Sequence, residues 1–210
     1  MMVAIVIPSE AAKEVPDTLT ASEVFVRLPL KTLEILGRSQ RLDMLDYYDV
    51  DSIYRAPNGM EGLSELVSVT PRYLEVKITP VTEMQILILP KVKEAAAVVL
   101  YTINGDRQAA DTDVSFFDMD LKELPREKYL EYPEIFDFFT IPDKETKDRI
   151  EELVPFPTIE FRAEPGSTDL TATLTVGEFM GKENYDYIKK YMKGALRYRY
   201  DGKRYKLIKD

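Results

Sequence analysis

The sequence predicts an α+β fold, a large and mostly antiparallel sheet of about nine strands with helices packed on one side. Three observations predict it. Residues 63–118 form a succession of apolar runs broken by turn residues. Residues 158–208 repeat that pattern. Segments of helical spacing lie before, between and within the two runs.

Met1 to Ile7 is apolar, and Pro8-Ser9-Glu10-Ala11-Ala12 is small and polar. This stretch reads either as the end of a secretory signal without its basic start or as an unstructured or edge-strand beginning. Residues 1–19 are therefore taken as a tail and 20–210 as one domain. Thr20 and Glu23 have capping-box spacing, which starts a helix with Val24, Phe25 and Leu28 on one face. Pro29 interrupts it before a restart at Leu33, Ile35 and Leu36, and Gly37 ends it. Ser39 opens a second helix with Leu42, Leu45 and Tyr48 inward. Asp43, Asp46, Asp49 and Asp51 then lie on the solvated side, because their spacing fails the calcium-loop pattern.

The first strand run follows. Leu74, Val76 and Ile78 alternate with Tyr73, Glu75 and Lys77, a period of two that marks a half-buried strand. Glu83 to Leu89 is more apolar and so more central. Ala96 to Ile103 ends at the turn signal Asn104-Gly105-Asp106, and Asp113 to Phe117 closes the run. Residues 121–142 are punctuated by Pro125, Pro133 and Pro142 and carry no regular pattern. A helix fits Asp143 to Val154, with Ile150, Leu153 and Val154 inward. In the last third, Ile159 to Arg162 and Leu170 to Val176 alternate as strands. A helix over Lys182 to Lys193 has a Tyr185, Ile188, Met192 stripe. The chain closes with a hairpin signalled by Asp201-Gly202.

Composition narrows the chemistry. With 45% hydrophobic residues the chain can fill a core, and its net charge of −9 disfavours nucleic-acid binding. Neither His nor Cys is present. The usual general base, thiol nucleophiles, disulfides and the commonest zinc ligands are thus removed. No run of about 18 apolar residues occurs, so no transmembrane helix is expected. No cofactor and no metal site is expected.

Five pieces carry a resemblance. They are Gln40-Arg41-Leu42-Asp43-Met44-Leu45-Asp46, Leu74-Glu75-Val76-Lys77-Ile78-Thr79-Pro80, Phe116-Phe117-Asp118-Met119-Asp120, Met180-Gly181-Lys182-Glu183 and Leu196 to Tyr205. Together they resemble a domain-of-unknown-function family of Bacteroidales proteins of about this length, from about Val24 to Leu207. The closing hairpin is the most specific piece. Members usually begin with a signal peptide, which implies a periplasmic or secreted protein. The family brings no activity, so no residue inherits a role.

Three features are candidates for function. Val114 to Leu121 ends an apolar strand in Asp118-Met119-Asp120, a pattern shared with haloacid-dehalogenase-type phosphatases. That motif requires a parallel sheet, whereas these strands read as antiparallel, so two solvated strand-end acids are the simpler reading. Asp111 and Asp113 lie nearby in sequence and raise the question of a weakly held cation. The second feature is the basic end. Lys189, Lys190, Lys193, Arg197, Arg199, Lys203, Arg204 and Lys206 interleave with tyrosines, which fits an outward basic sheet face over a Tyr-rich inner face.

The third feature is the loop over residues 125–142, with Tyr129, Tyr132, Phe136, Phe138 and Phe139. It is long for a compact domain, and loops carry binding more often than strands. Tyr129 and Tyr132 are expected to be exposed and to contact a partner protein or apolar ligand. The competing reading has Phe136 and Phe139 sealing the core edge. The function this predicts is a non-catalytic, exported binding or scaffolding protein of the cell envelope. The alternative is a carboxylate-only hydrolase using Asp118 with Asp120, with or without a metal.

Overall fold

The computed structural model describes residues 19–29, 33–49, 55–90, 95–105, 109–177 and 180–208. The predicted tail, except Leu19, lies outside them, as do Asp51 and Asp106. Seven strands run as an antiparallel meander in chain order: β1 (Arg55–Pro57), β2 (Leu63–Val69), β3 (Tyr73–Thr79), β4 (Thr82–Ile88), β5 (Ala97–Gly105), β6 (Ala109–Phe117) and β7 (Glu123–Leu124). Four more form a second antiparallel sheet: β8 (Ile159–Ala163), β9 (Leu170–Leu174), β10 (Leu196–Tyr200) and β11 (Tyr205–Leu207), ordered β11-β10-β9-β8. The chain is α+β and antiparallel, as predicted, with its strands divided between two sheets.

The division follows from the apolar runs in β4 and β5. Ile86-Leu87-Ile88-Leu89 and Ala96 to Leu100 are apolar at both parities, so both faces of the large sheet need cover. On one face Leu74, Val76, Ile78, Met84, Ile86 and Val99 pack beneath α1 (Ala21–Arg27) and α2 (Arg38–Asp49). On the other, Leu87, Val98, Leu100, Val114 and Phe116 share a core with Phe161, Ala172 and Tyr198 of the second sheet. Ile150 of α3 (Lys144–Leu153) and Ile188 of α4 (Lys182–Lys189) belong to that second core. Helices α1 and α2 thus cover one face of the large sheet, and the second sheet covers the other, with α3 and α4 contributing to that same core.

The two sheets are joined at β8, whose outward amides meet side chains of the large sheet instead of another strand. Ile159 N–H donates to Asp111 Oδ1 (3.1 Å), Phe161 N–H to Thr112 Oγ1 (3.0 Å) and Ala163 N–H to Gln85 Oε1 (2.9 Å). Between these amides, Arg162 reaches Glu83 (2.6 Å), Glu160 (3.0 Å) and Glu75 (3.4 Å). Tyr73 donates its hydroxyl proton to Glu75 (2.8 Å) and accepts from Gln85 Nε2 (2.9 Å). Buried backbone donors are thereby satisfied where no ladder reaches them.

Helix α1 starts at the predicted capping box: Glu23 N–H donates to Thr20 Oγ1, and Thr20 N–H to Glu23 Oε2. Its end is closed by Arg41 of α2. The Arg41 Nη1 donates to Phe25 O (2.7 Å) and Leu28 O (2.9 Å). Arg41 and Met44 are consequently the buried residues of α2, while Leu42 and Tyr48 are exposed and Leu45 half-buried. The predicted inward face is rotated because the last carbonyls of α1 draw the guanidinium inside. Leu33 to Leu36 form a turn in place of the predicted helical restart, with Leu33 and Leu36 still buried.

Candidate binding site beside the closing hairpin

The loop over 125–142 contains two short 3-10 turns, Arg126–Lys128 and Ile135–Phe138. It is pinned along its length. Tyr205 N–H donates to Tyr129 O (2.7 Å), Lys193 N–H to Phe138 O (2.8 Å), and Thr140 N–H to Tyr191 O (2.8 Å). The aromatics divide accordingly. Tyr129 (4% exposed), Phe138 (1%) and Phe139 (2%) are core residues. The expected exposure of Tyr129 is corrected: its ring lies 5.2 Å from Phe116, drawn in by the backbone bond to β11.

Tyr132 and Phe136 are half-buried, and each holds a cation over its ring. The Arg126 guanidinium lies 4.9 Å from the Tyr132 centroid, and the Lys147 ammonium 4.7 Å from that of Phe136. The Tyr132 ring also meets Phe161, tilted, at 5.3 Å. Burial, and after it the Asp111 carboxylate, pushes the Tyr132 hydroxyl up to about 12, with Arg126 opposing.

Beside Tyr129, a cleft of about 420 Å³ opens between the loop and the β10–β11 hairpin. It is lined by Ala95, Lys128, Tyr129, Tyr200, Gly202, Lys203 and Arg204. The hairpin turn is tight because Asp201 N–H donates to Arg204 O (3.1 Å), which leaves Gly202 and Lys203 at its tip. Gly202 has φ +94°, a left-handed backbone conformation that favours glycine. The tip is thus one residue later than the Asp201-Gly202 signal suggests.

The turn also fixes the charge around the cleft. Asp201 Oδ1 accepts from the backbone amides of Lys203 (2.9 Å) and Arg204 (3.0 Å), and Oδ2 pairs with Lys206 (2.7 Å). The Lys206 bond, then the two amides, holds the Asp201 carboxyl well below the usual carboxylate range. The hairpin's own acid is therefore committed. Lys128, Lys203 and Arg204 are exposed and have no carboxylate partner among the described residues. Sequence reasoning saw Lys203 and Arg204 as part of a basic end but had no signal that Lys128 would join them.

The remaining basic residues behave as predicted. Arg197, Arg199 and Lys206 are exposed, while Tyr198 and Tyr205 are buried on the inner face. Arg197 (3.9 Å) and Arg199 (3.5 Å) both approach Asp169.

The acidic candidates do not converge. Asp118 Oδ1 accepts from the amides of Asp120 and Lys122, both at 2.9 Å, and so closes a turn in which Leu121 adopts φ +61°. Asp111 caps Ile159, and Asp113 faces Arg126 at 3.7 Å. Among the described residues no group of three or more His, Cys, Asp or Glu is placed to hold a metal.

A family model described as "Protein of unknown function (DUF3256)" matches residues 17–205. The chain belongs to the DUF3256 family. The DUF3256 match spans the large sheet, all four helices and the second sheet as far as the first residue of β11. No curated protein matches. Among solved structures, a domain of an uncharacterized protein from Porphyromonas gingivalis W83 is similar, with a TM-score of 0.78 and 17% identity. The alignment covers 92% of this chain and 100% of that one. At that identity the likeness speaks for a shared fold. No helix among the described residues is long and apolar enough to cross a membrane.

Proposed function

We propose that this DUF3256 chain is a non-catalytic, exported binding or scaffolding protein of the cell envelope. Its 125–142 loop is the contact element, and the chain from 20 to 210 works as one domain. The observation that carries this reading is the division of labour within the loop. Tyr129, Phe138 and Phe139 anchor it in the core, and Tyr132 and Phe136 are left half-buried at the surface. Three backbone bonds hold it in place, so a partner would meet a prearranged surface at a low ordering cost. Rings with a cation stacked on the outside suit a protein partner that brings an apolar side chain and a carboxylate.

A photo-crosslinking residue placed at Phe136 in native cells tests this, with Thr173 on the outward face of the second sheet as control. The expected result is an adduct specific to Phe136 that disappears when Lys147→Glu is added, with no change in melting temperature. Identical adduct patterns from both positions would sink the contact role. Release of the protein by osmotic shock tests the envelope location, and retention with the cytosolic fraction would contradict it.

A further inference from the structure

We propose that the cleft beside the closing hairpin is a binding site for a small phosphomonoester with a planar or apolar body. This site is independent of the partner surface at Phe136, which lies on a different part of the loop.

Charge is the first argument. The chain carries a net −9, yet Lys128, Lys203 and Arg204 line one cleft without a carboxylate partner among the described residues. Like charges that share a cleft repel one another and favour an anion between them. Asp201 is the acid best placed to neutralise the pair on its own turn. It is held by two backbone amides and Lys206. A dianion matches three cations better than a carboxylate monoanion, and a guanidinium offers it paired donors.

Shape is the second argument. A cleft of about 420 Å³ falls in the range that takes small molecules. Its cations line it beside apolar surface. Tyr200 is half-buried and offers ring surface to a planar body, Tyr129 closes the wall behind, and Ala95 leaves room. The Tyr200 ring lies tilted at 5.3 Å from that of Tyr205, whose backbone is bonded to Tyr129, so both aromatic walls are braced by the same strand. The turn that presents Lys203 and Arg204 is closed by three hydrogen bonds. Lys203 and Arg204 are consequently carried on a braced turn, which lowers the cost of ordering them around a ligand.

The test is calorimetric titration of the purified chain with phenyl phosphate, inorganic phosphate, benzoate and phenol. Sedimentation with phosphatidylglycerol vesicles is measured in parallel. Phenyl phosphate is expected to bind most tightly, with affinity falling as salt rises. The double variant Lys203→Gln, Arg204→Gln is expected to weaken it by at least about tenfold while the melting temperature stays unchanged, because both side chains are exposed. Lys189→Gln, a cation outside the cleft, is expected to bind as the wild type does. No binding of phenyl phosphate would overturn the proposal, as would equal binding by the double variant. Benzoate binding as tightly as phenyl phosphate would remove the requirement for a dianion. Sedimentation with vesicles in place of phenyl phosphate binding would overturn the small-ligand assignment. The crosslinking result at Phe136 is unaffected by any of these outcomes.

Discussion

Arg41 shows what a single side chain decides. A fully buried arginine has a high desolvation cost unless its donors are used. Here one nitrogen serves two carbonyls at the end of α1, where the helix dipole is negative. Arg41→Met keeps the volume and removes the donors. It is expected to lower unfolding stability by about 2–3 kcal/mol, since two buried acceptors lose their partner. Chemical denaturation measures it, and a loss below about 0.5 kcal/mol would show that water or neighbouring groups replace the guanidinium. The burial of Arg41 was not legible in the sequence. Helical periodicity assigns arginine to the solvent side, and nothing local says that another helix will end beside it. Thr20 and Glu23 were legible, because both partners of the capping box lie within one turn.

At the scale of elements, β3, β9 and α3 were readable because each carries its burial pattern in its own residues. Leu74, Val76 and Ile78 are buried as the alternation required, and so are Leu170, Ala172 and Leu174, whereas Tyr73 on the opposite face of β3 is buried as well because the second sheet covers that face. Asp143 caps α3 through the Thr146 amide at 2.7 Å, at the start the sequence predicts for that helix. What could not be read was the packing of β8 against the large sheet. That contact depends on Asp111, Thr112 and Gln85, three polar residues far away in the chain that have no pattern in common. The same holds for the loop aromatics. Proline and aromatic density marks 125–142 as unusual, but the exposure of each ring is set by bonds to β11 and to Tyr191 and Lys193, which follow α4. Arg162 is the test of the joint between sheets. Arg162→Met leaves the carboxylates of Glu75, Glu83 and Glu160 facing one another. The Arg162 side chain is 41% exposed, so the expected loss is about 1–2 kcal/mol, less than for a fully buried pair. Added Glu160→Gln should recover part of it, and a double-mutant cycle with no coupling would contradict the network.

For the whole molecule, tyrosines make alkaline pH the sensitive direction. Burial raises the hydroxyl pKa of Tyr73, Tyr132, Tyr198 and Tyr205, with Tyr132 at about 12. A folded pKa above the unfolded value of about 10 means that the folded chain keeps protons the unfolded chain releases. The stability held this way is complete below pH about 10 and is lost as pH rises through the folded values. Denaturation midpoints should therefore fall steadily above pH about 10, in step with tyrosinate absorbance, and a midpoint that stays level to pH about 12 would contradict the burial of these rings. With His and Cys absent, no other side chain has an ordinary pKa between the carboxylates and this range. The capped amides of β8 have a consequence for assembly. An open strand edge is a template on which another chain can add its own strand. The second sheet gives up one such edge to side chains of the first, and at the other Tyr205 is already bonded to Tyr129. Copies of this protein are thereby discouraged from growing end to end as a continuous β-ribbon through that sheet, and an oligomer would have to meet through side-chain surfaces.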